Sequence, residues 1–413
     1  MQQLQHSTME ELLGVIASNI NMQGQEGKTF RTEAAKTLLA LTQDASQVDA
    51  LVDGGAQAHA VATALARTRE GARDGLAALA NALARANAKG ERPADALAVA
   101  LATPKTVDAA CVVAASDAFD PQSRENALAF LQNATVRPAG AAAVAAREEA
   151  VTALLKRFAR RGAAAAQASW ADAFAACAQN LSAAATFRTL LLRPPTRILS
   201  ALLPLLLDGH VETHGAASPG KRRGVAAALR HCCHDVSAHG VLLDDCCAPQ
   251  FILFALADAS DIARLESDDS MALQLPGGTA WTGAPFVDDA SEVYGDSKKR
   301  EPRADVSLFL LEALLCLCGT RRGRTELRRL KAYAVVRDCD YHFAPGRDDR
   351  DEGDGGPSEV LVTADDAPEP PPESLTEEEL ILKNVAKACA DLAAMLLRDE
   401  AGPPGPPTYD DMD

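Results

Sequence analysis

The stretch ALAFLQNA at residues 127–134 decides the fold. Four of its apolar residues lie at positions i, i+3, i+4 and i+7, namely Ala127, Phe130, Leu131 and Ala134. This spacing places them on one face of an α-helix. The apolar residues of VSLFLLEALLCL at 306–317 follow the same spacing, and the two-residue alternation typical of strands is almost absent. The sequence therefore predicts an all-α protein.

A short phrase within this stretch recurs along the chain. It ends in Asn at Asn81, Asn133 and Asn180, and a degenerate version ends at His231, so the spacings are 52, 47 and 51 residues. Armadillo and HEAT units run ~40–47 residues, and loop insertions lengthen them. We expect an earlier unit around residues 38–41 and a later one around 314–318. Because one such unit buries too little apolar surface alone, the repeats predict an armadillo/HEAT-like α-solenoid superhelix of roughly six or seven units.

The negative charge of the chain is concentrated near its C-terminal end. The net charge is −16, and residues 348–379 contain 13 acidic side chains against the single basic Arg350. A segment so acidic, rich in Gly and Pro, buries too little apolar surface to offset its ordering entropy, which predicts a disordered acidic insertion and, beyond the last helix, a disordered tail. The predicted domains are N-terminal armadillo-like repeats at 1–215, C-terminal armadillo-like repeats at 216–346, the acidic insert at 347–376, a capping helix at 377–400 and the tail at 401–413.

Composition also excludes several function classes. An acidic chain is unsuited to direct nucleic acid binding, which requires a basic surface. No run of ~20 apolar residues predicts a membrane span, and no secretory signal is recognisable at the N-terminus. The ten cysteines show no disulfide-framework spacing, which favours reduced thiols. We expect a cytoplasmic protein, with the nucleus as the alternative compartment.

Three short motifs resemble functional sites. GQEGKT at 24–29 ends like a phosphate-binding loop but has Met22 where its first Gly belongs, so we interpret it as an interhelical loop. HCCH at 231–234 and the pair His210 and His214 suggest zinc, but adjacent cysteines diverge around a helix, so core packing of Cys232 and Cys233 is favoured. No catalytic motif is present. The sequence therefore predicts a protein that is not an enzyme and has no metal or cofactor.

Basic residues cluster three times in the later repeats, at 221–223, 298–300 and 321–329. A solvated surface is the simplest interpretation. The alternative is an interaction surface for an acidic or mixed protein partner, since Arg is enriched at interfaces. A competing hypothesis is that Arg300 and Glu301 form a partly buried ion pair that fixes the loop before Pro302. The predicted partner-binding residues are Arg222, Arg223, Lys299, Arg300 and Arg324.

Two blocks of the later half carry a family resemblance. KRRGVAAALRHCCHD at 221–235 and KKREPRADVSLFLLEALLCLCGTRRGR at 298–324 resemble the Hgh family of eukaryotic armadillo-like proteins. The resemblance extends over residues 218–343, with the first 210 residues similar only in repeat type. The matching residues are Arg222, Arg223, Gly224, Val225, Cys232, Cys233, Lys299, Arg300, Glu301, Pro302, Leu311, Glu312, Ala313, Leu314, Gly323 and Arg324.

The resemblance implies a cytosolic folding chaperone or adaptor. Members of this family bind newly made translation elongation factor 2 and hand it between the cytosolic chaperonin and the chaperone system. The alternative is an armadillo-type scaffold or transport adaptor that binds peptide segments in a groove lined by Asn81, Asn133 and Asn180. Transport adaptors pair such Asn residues with Trp, and neither Trp170 nor Trp281 follows that pattern.

Overall fold

The computed structural model describes residues 8–159, 168–194, 198–207, 219–262, 299–343 and 376–397. Within these ranges the chain is a succession of α-helices joined by short turns, and no strand is present. The prediction of an all-α solenoid is confirmed. The predicted disordered tail, all of the acidic insert except Thr376, and the pair His210 and His214 lie outside the described residues.

Nineteen helices are numbered here in chain order. The first ten are α1 Met9–Asn19, α2 Gly24–Leu41, α3 Ala45–Asp53, α4 Gly55–Ala66, α5 Ala72–Lys89, α6 Glu91–Leu101, α7 Pro104–Ala115, α8 Pro121–Thr135, α9 Pro138–Ala145 and α10 Glu148–Ala159. The others are α11 Ala168–Ser182, α12 Ala185–Leu192, α13 Ile198–Leu202, α14 Pro219–Cys233, α15 Ala248–Leu256, α16 Ala304–Leu317, α17 Arg321–Arg329, α18 Ala332–Phe343 and α19 Glu377–Leu397. A 3₁₀-helix, Leu203–Leu207, and a π-helix, Val241–Asp245, lie between them.

Seven of these helices form a continuous row, which we call the central row. In it α2 packs against α5, α5 against α8, α8 against α11, α11 against α14, α14 against α16 and α16 against α19. Asn81, Asn133, Asn180 and His231 lie on four successive members, and the units expected around 38–41 and 314–318 correspond to α2 and α16. The repeat positions predicted from sequence are therefore confirmed.

Helix α8 illustrates why the elements begin where they do. Asp120 precedes it with an extended backbone, and its Oδ1 accepts a hydrogen bond from the Ser123 N–H at 3.0 Å. Pro121 occupies the first helical position, where its missing N–H leaves no acceptor unsatisfied. The four residues of its predicted apolar face, Ala127, Phe130, Leu131 and Ala134, are all buried.

The interpretation of residues 24–29 as an interhelical loop was wrong. These residues lie in the first turns of α2, and a Cβ at Gly27 would lie 2.0 Å from the Met22 carbonyl oxygen. Gly224 lies inside α14, where a Cβ would lie 2.3 Å from the carbonyl oxygen of Ala175 on α11. Glycine at 224 therefore permits close contact between two members of the central row.

Among the described residues, no single helix is long and apolar enough to cross a membrane. The helices Pro93–Leu101 and Pro104–Ala115 meet the length and composition criteria only when they are joined, and they are bent by 75°.

Candidate protein-binding surface

A buried ion pair joins the start of α14 to the segment before α16. Arg222 Nε donates to Glu301 Oε2 at 2.6 Å, and Arg222 Nη2 donates to Oε1 at 3.3 Å. The Glu301 side chain is fully buried, and its Oε1 also accepts from the Arg303 N–H at 3.1 Å. The Glu301 N–H donates to the Ala255 carbonyl oxygen at 3.0 Å. Residues 301–303 are thereby held against both α14 and the end of α15.

Arg300 enters the interior beside this pair. Its Nη1 donates to the Leu256 carbonyl oxygen at 2.8 Å, and its Nη2 donates to Asp261 Oδ2 at 2.6 Å and to Asp258 Oδ2 at 3.1 Å. The pKa of Asp261 is raised to about 6, mainly by burial and in part by a hydrogen bond with Asp338, while Arg300 opposes the rise. The buried carboxyl group of Asp261 is therefore held in place by its contact with the Arg300 guanidinium.

These contacts correct the surface assignment of two predicted partner-binding residues. Arg222 and Arg300 are buried and hold the loop before α16, so neither can contact a partner directly. The competing hypothesis is confirmed in one respect, since Arg300 and Glu301 both form buried ion pairs, but it was wrong in pairing them with each other. Glu301 pairs with Arg222, and Arg300 pairs with Asp258 and Asp261.

The other three predicted residues differ in exposure. Arg223 is 48% exposed and Lys299 is also exposed. Arg324 is half-buried, and its Nη1 donates to the Cys318 carbonyl oxygen at 2.8 Å, just past the end of α16. The proposed role of Arg223, Lys299 and Arg324 in partner binding stays a prediction.

A partly exposed arginine–phenylalanine cluster lies between α14 and α16, and only Arg223 of it was predicted from the sequence to be a partner-binding residue. The guanidinium carbons of Arg223 and Arg230 lie 6.0 and 5.0 Å from the centroid of the Phe309 ring. Arg223 Nε lies 3.1 Å from Asp305 Oδ2, and Arg230 Nη1 donates to Glu312 Oε2 at 2.7 Å. We call these five residues the Arg–Phe surface. Phe309 is partly buried and packs against the core, as the apolar spacing of its helix predicts, so the pattern alone does not distinguish it from a core residue.

The repeated Asn side chains connect neighbouring helices of the central row. Asn81 Nδ2 donates to Thr42 Oγ1 at 3.0 Å, and Asn133 Nδ2 donates to the Ala80 carbonyl oxygen at 3.0 Å. Asn180 Nδ2 is 3.4 Å from Thr135 Oγ1. Each amide therefore directs an N–H towards the preceding helix of the row, which accounts for the repeat without a bound peptide.

At His231 the same connection is made by an imidazole. Its Nδ1 lies 2.8 Å from Oγ of Ser182, the last residue of the preceding helix α11. The pKa of His231 is lowered to about 4, mainly by burial, with a smaller contribution from the neighbouring Arg230, His234 and Arg188. His231 is therefore neutral in the folded protein near pH 7.

The predicted packing of the paired cysteines is confirmed. Cys232 and Cys233 are buried, and burial raises the pKa of the Cys232 thiol to about 12. His234 is exposed, with its Nδ1 3.5 Å from the Sγ of Cys316 on α16. In the described ranges no group of three or more His, Cys, Asp or Glu side chains could hold a metal ion.

The chain was compared with known proteins. No family model matches it. It is 32% identical over 160 residues to the mouse protein HGH1 homolog, which covers 38% of this chain and 35% of the relative. The human HGH1 homolog is 31% identical over 164 residues, with the same two shares. The zebrafish HGH1 homolog is 28% identical over 218 residues, 52% of this chain and 50% of the relative.

These matches span about a third to a half of the length of the curated relatives. A solved structure of an engineered protein covers 94% of the chain at 13% identity with a TM-score of 0.34, too low to support an argument. The repeated matches to HGH1 homologs agree with the resemblance carried by the two sequence blocks. Over the matched part of its length, the chain is similar to HGH1 homologs from several eukaryotes.

Proposed function

We propose that this protein is a cytoplasmic folding adaptor that binds newly made translation elongation factor 2 and acts together with the cytosolic chaperonin. Similarity to HGH1 homologs supports the general class, and the identity of the client and of the chaperonin rests on the family resemblance alone. The observation that carries the proposal is the central row, in which seven helices pack side by side from α2 to α19. On this proposal the protein binds its client without catalysing a reaction.

The dimensions of the central row suit a polypeptide client. Neighbouring packed helices lie ~8–10 Å apart, so seven helices present a surface roughly 50–60 Å long. A solenoid of this kind offers a long surface to a partner while its own core stays closed. The surface can therefore contact a partly folded domain and not merely a single short peptide.

The alternative function, a scaffold or transport adaptor with an Asn-lined peptide groove, has less support. Asn81, Asn133 and Asn180 each direct an amide N–H towards another helix of the row. An extended peptide would have to compete with these internal hydrogen bonds or use the remaining N–H of each amide.

The test is capture of partners by the full-length tagged protein in a eukaryotic lysate that is translating elongation factor 2. We expect mass spectrometry to find elongation factor 2 and chaperonin subunits enriched over a bait of similar size and charge. A second arm adds the purified protein to a reconstituted translation reaction and measures the protease-resistant fraction of new elongation factor 2, with actin as the control client. If elongation factor 2 is not enriched and its folded yield does not change, the proposed function is wrong.

A further inference from the structure

The Arg–Phe surface differs from the rest of the central row in its chemistry. On α5, α8 and α11 the described half-buried positions mix small neutral side chains, such as Ala77 and Ala129, with charged ones, such as Arg85 and Glu125, and none of them is aromatic. Between α14 and α16, two guanidinium groups flank a partly buried aromatic ring. Arg and aromatic residues dominate the binding energy of protein interfaces. This surface is therefore the part of the described row best suited to strong contact with a partner.

With its neighbour Arg303, this surface has three guanidinium groups against two carboxylates, those of Asp305 and Glu312, which gives a net charge of +1. Arg223 and Arg303 share one carboxylate, Asp305, at 3.1 and 2.8 Å. Both guanidinium groups are about half exposed, whereas the Asp305 side chain is only 16% exposed, so the cations lie outermost. The chain as a whole has a net charge of −16. A local excess of outward positive charge on an acidic protein is complementary to an acidic partner.

The base of this surface is rigid. Arg222, the residue before Arg223, is fixed by the buried Glu301, and Glu301 Oε1 accepts the backbone N–H of Arg303. Arg223 and Arg303 therefore project from backbone that is held on both helices. A surface fixed in this way loses less conformational entropy when a partner binds.

We infer that the Arg–Phe surface binds an acidic polypeptide segment that carries an apolar side chain. The carboxylates of the segment accept hydrogen bonds from Arg223 and Arg303, and its apolar side chain packs on Phe309 between the two flanking guanidinium groups. A nucleic acid is a poorer match, because phosphate-backbone binding uses a longer basic surface than this one. This inference rests on the proposed function, since it assigns the client contact to one part of the central row.

The test uses the full-length protein and fluorescence anisotropy. The probe is a fluorescein-labelled twelve-residue peptide of Glu and Asp with two Phe residues, and the control probe has Lys at every acidic position. The variant R223Q/R230Q removes both cations that flank Phe309. Its matched control is R322Q/R329Q, which removes two exposed arginines of α17 that are likewise ion-paired, with Asp244 and Glu326. Thermal melting followed by circular dichroism checks that both variants are folded.

We expect the acidic peptide to bind the wild-type protein and the Lys peptide not to bind. R223Q/R230Q should weaken binding at least tenfold, and R322Q/R329Q less than threefold. If R223Q/R230Q melts early, the single variant R223E replaces it, because that side chain lies outside the core. Equal loss of affinity in both double variants would overturn the assignment, since it would show a general charge effect.

Three other outcomes would also overturn the inference. The first is that the acidic peptide does not bind the wild-type protein. The second is that a single-stranded RNA binds as tightly as the peptide and that R223Q/R230Q weakens both interactions to the same extent. The third is that the peptide binds only after residues 348–372 are deleted. The last result would make the acidic segment of this chain the occupant.

Capture of elongation factor 2 by the same variants separates the two proposals. If both the wild type and R223Q/R230Q capture elongation factor 2, the client does not bind at the Arg–Phe surface, but the proposed function remains supported. If the wild type does not capture elongation factor 2 but the peptide results are as expected, the proposed function is wrong and peptide binding at the Arg–Phe surface is still supported.

Discussion

The two halves of the central row are held together by different interactions. Between α5, α8 and α11, neutral Asn side chains donate to a carbonyl or hydroxyl oxygen of the preceding helix. At the start of α14 and α16, a buried Arg222–Glu301 pair makes the connection, with a half-buried Arg230–Glu312 pair further along. The same repeated architecture thus tolerates either neutral or ionic connections between helices.

Side-chain size at the contact explains the difference. In the first half, alanine fills much of the buried faces of the row helices, as at Ala80 on α5 and at Ala127 and Ala134 on α8. A side chain as short as Asn then reaches the next helix. Helix α16 instead presents large residues such as Phe309 and Leu308, and the longer Arg side chains of α14 span the distance. Neighbouring helices are therefore connected by short Asn side chains where alanine is abundant, and by longer Arg side chains where the facing residues are large.

The largest change in stability is expected when one charged side chain is neutralised in each half of the chain and the two losses are compared. Glu301→Gln removes a negative charge from beside the buried Arg222 guanidinium, so we expect the free energy of unfolding to fall by about 3–5 kcal/mol. The counterpart in the first half of the chain is Asp108→Asn on α7, a helix that packs beside the central row against α8. It removes the bidentate partner of Arg147 at a site where both side chains are 38% exposed. That variant should lose only ~0–1 kcal/mol. Urea unfolding measures both values.

A double variant controls for the buried pair. Arg222→Met with Glu301→Leu removes both charges together, and it should recover much of the stability that Glu301→Gln loses. If Glu301→Gln and Asp108→Asn cost the same, the two halves do not differ in the way described.

The second test concerns His231, which occupies the Asn position of the repeat in α14. Its pKa is about 4 in the folded protein and ~6.5 in an unfolded chain. Between these values the unfolded chain binds more protons, so stability is full above pH 6.5 and is lost as the pH falls towards 4. His231→Asn should abolish this loss, amounting to about 1–2 kcal/mol between pH 7 and pH 5.

Urea unfolding at the two pH values measures the effect, with the exposed His234→Asn as the control. If His231→Asn and the wild type lose stability in parallel as the pH falls, the imidazole is not the source of the pH dependence.

The smallest expected effect is in the first half. Asn133→Ala removes the hydrogen bond to the Ala80 carbonyl oxygen and should lower the free energy of unfolding by about 0.5–1.5 kcal/mol. Gln122→Ala, on the exposed first turn of the same helix, is the control and should change it by less than ~0.5 kcal/mol. A loss above about 3 kcal/mol for Asn133→Ala would mean that neutral connections are as important as buried charges.

The sequence predicted the fold well, because helical spacing and a repeated Asn are local signals. It predicted the burial of Cys232 and Cys233 for the same reason. It did not separate buried from exposed arginines, since Arg222 and Arg223 are adjacent and only the direction of each side chain distinguishes them. The partners of Arg300 and Glu301 lie 39 and 79 residues away, so no local pattern could identify them.

The contact between Asp261 and Arg300 has a consequence for how the chain can vary. These two residues stand on either side of residues 263–298, and their side chains meet at 2.6 Å. The two ends of the intervening chain are thereby held together by the folded core. The positions of these two ends are therefore set by contacts of the folded core and do not depend on the length of the chain that joins them. We expect α15 and α16 to keep their places in relatives that differ in length between Asp261 and Arg300.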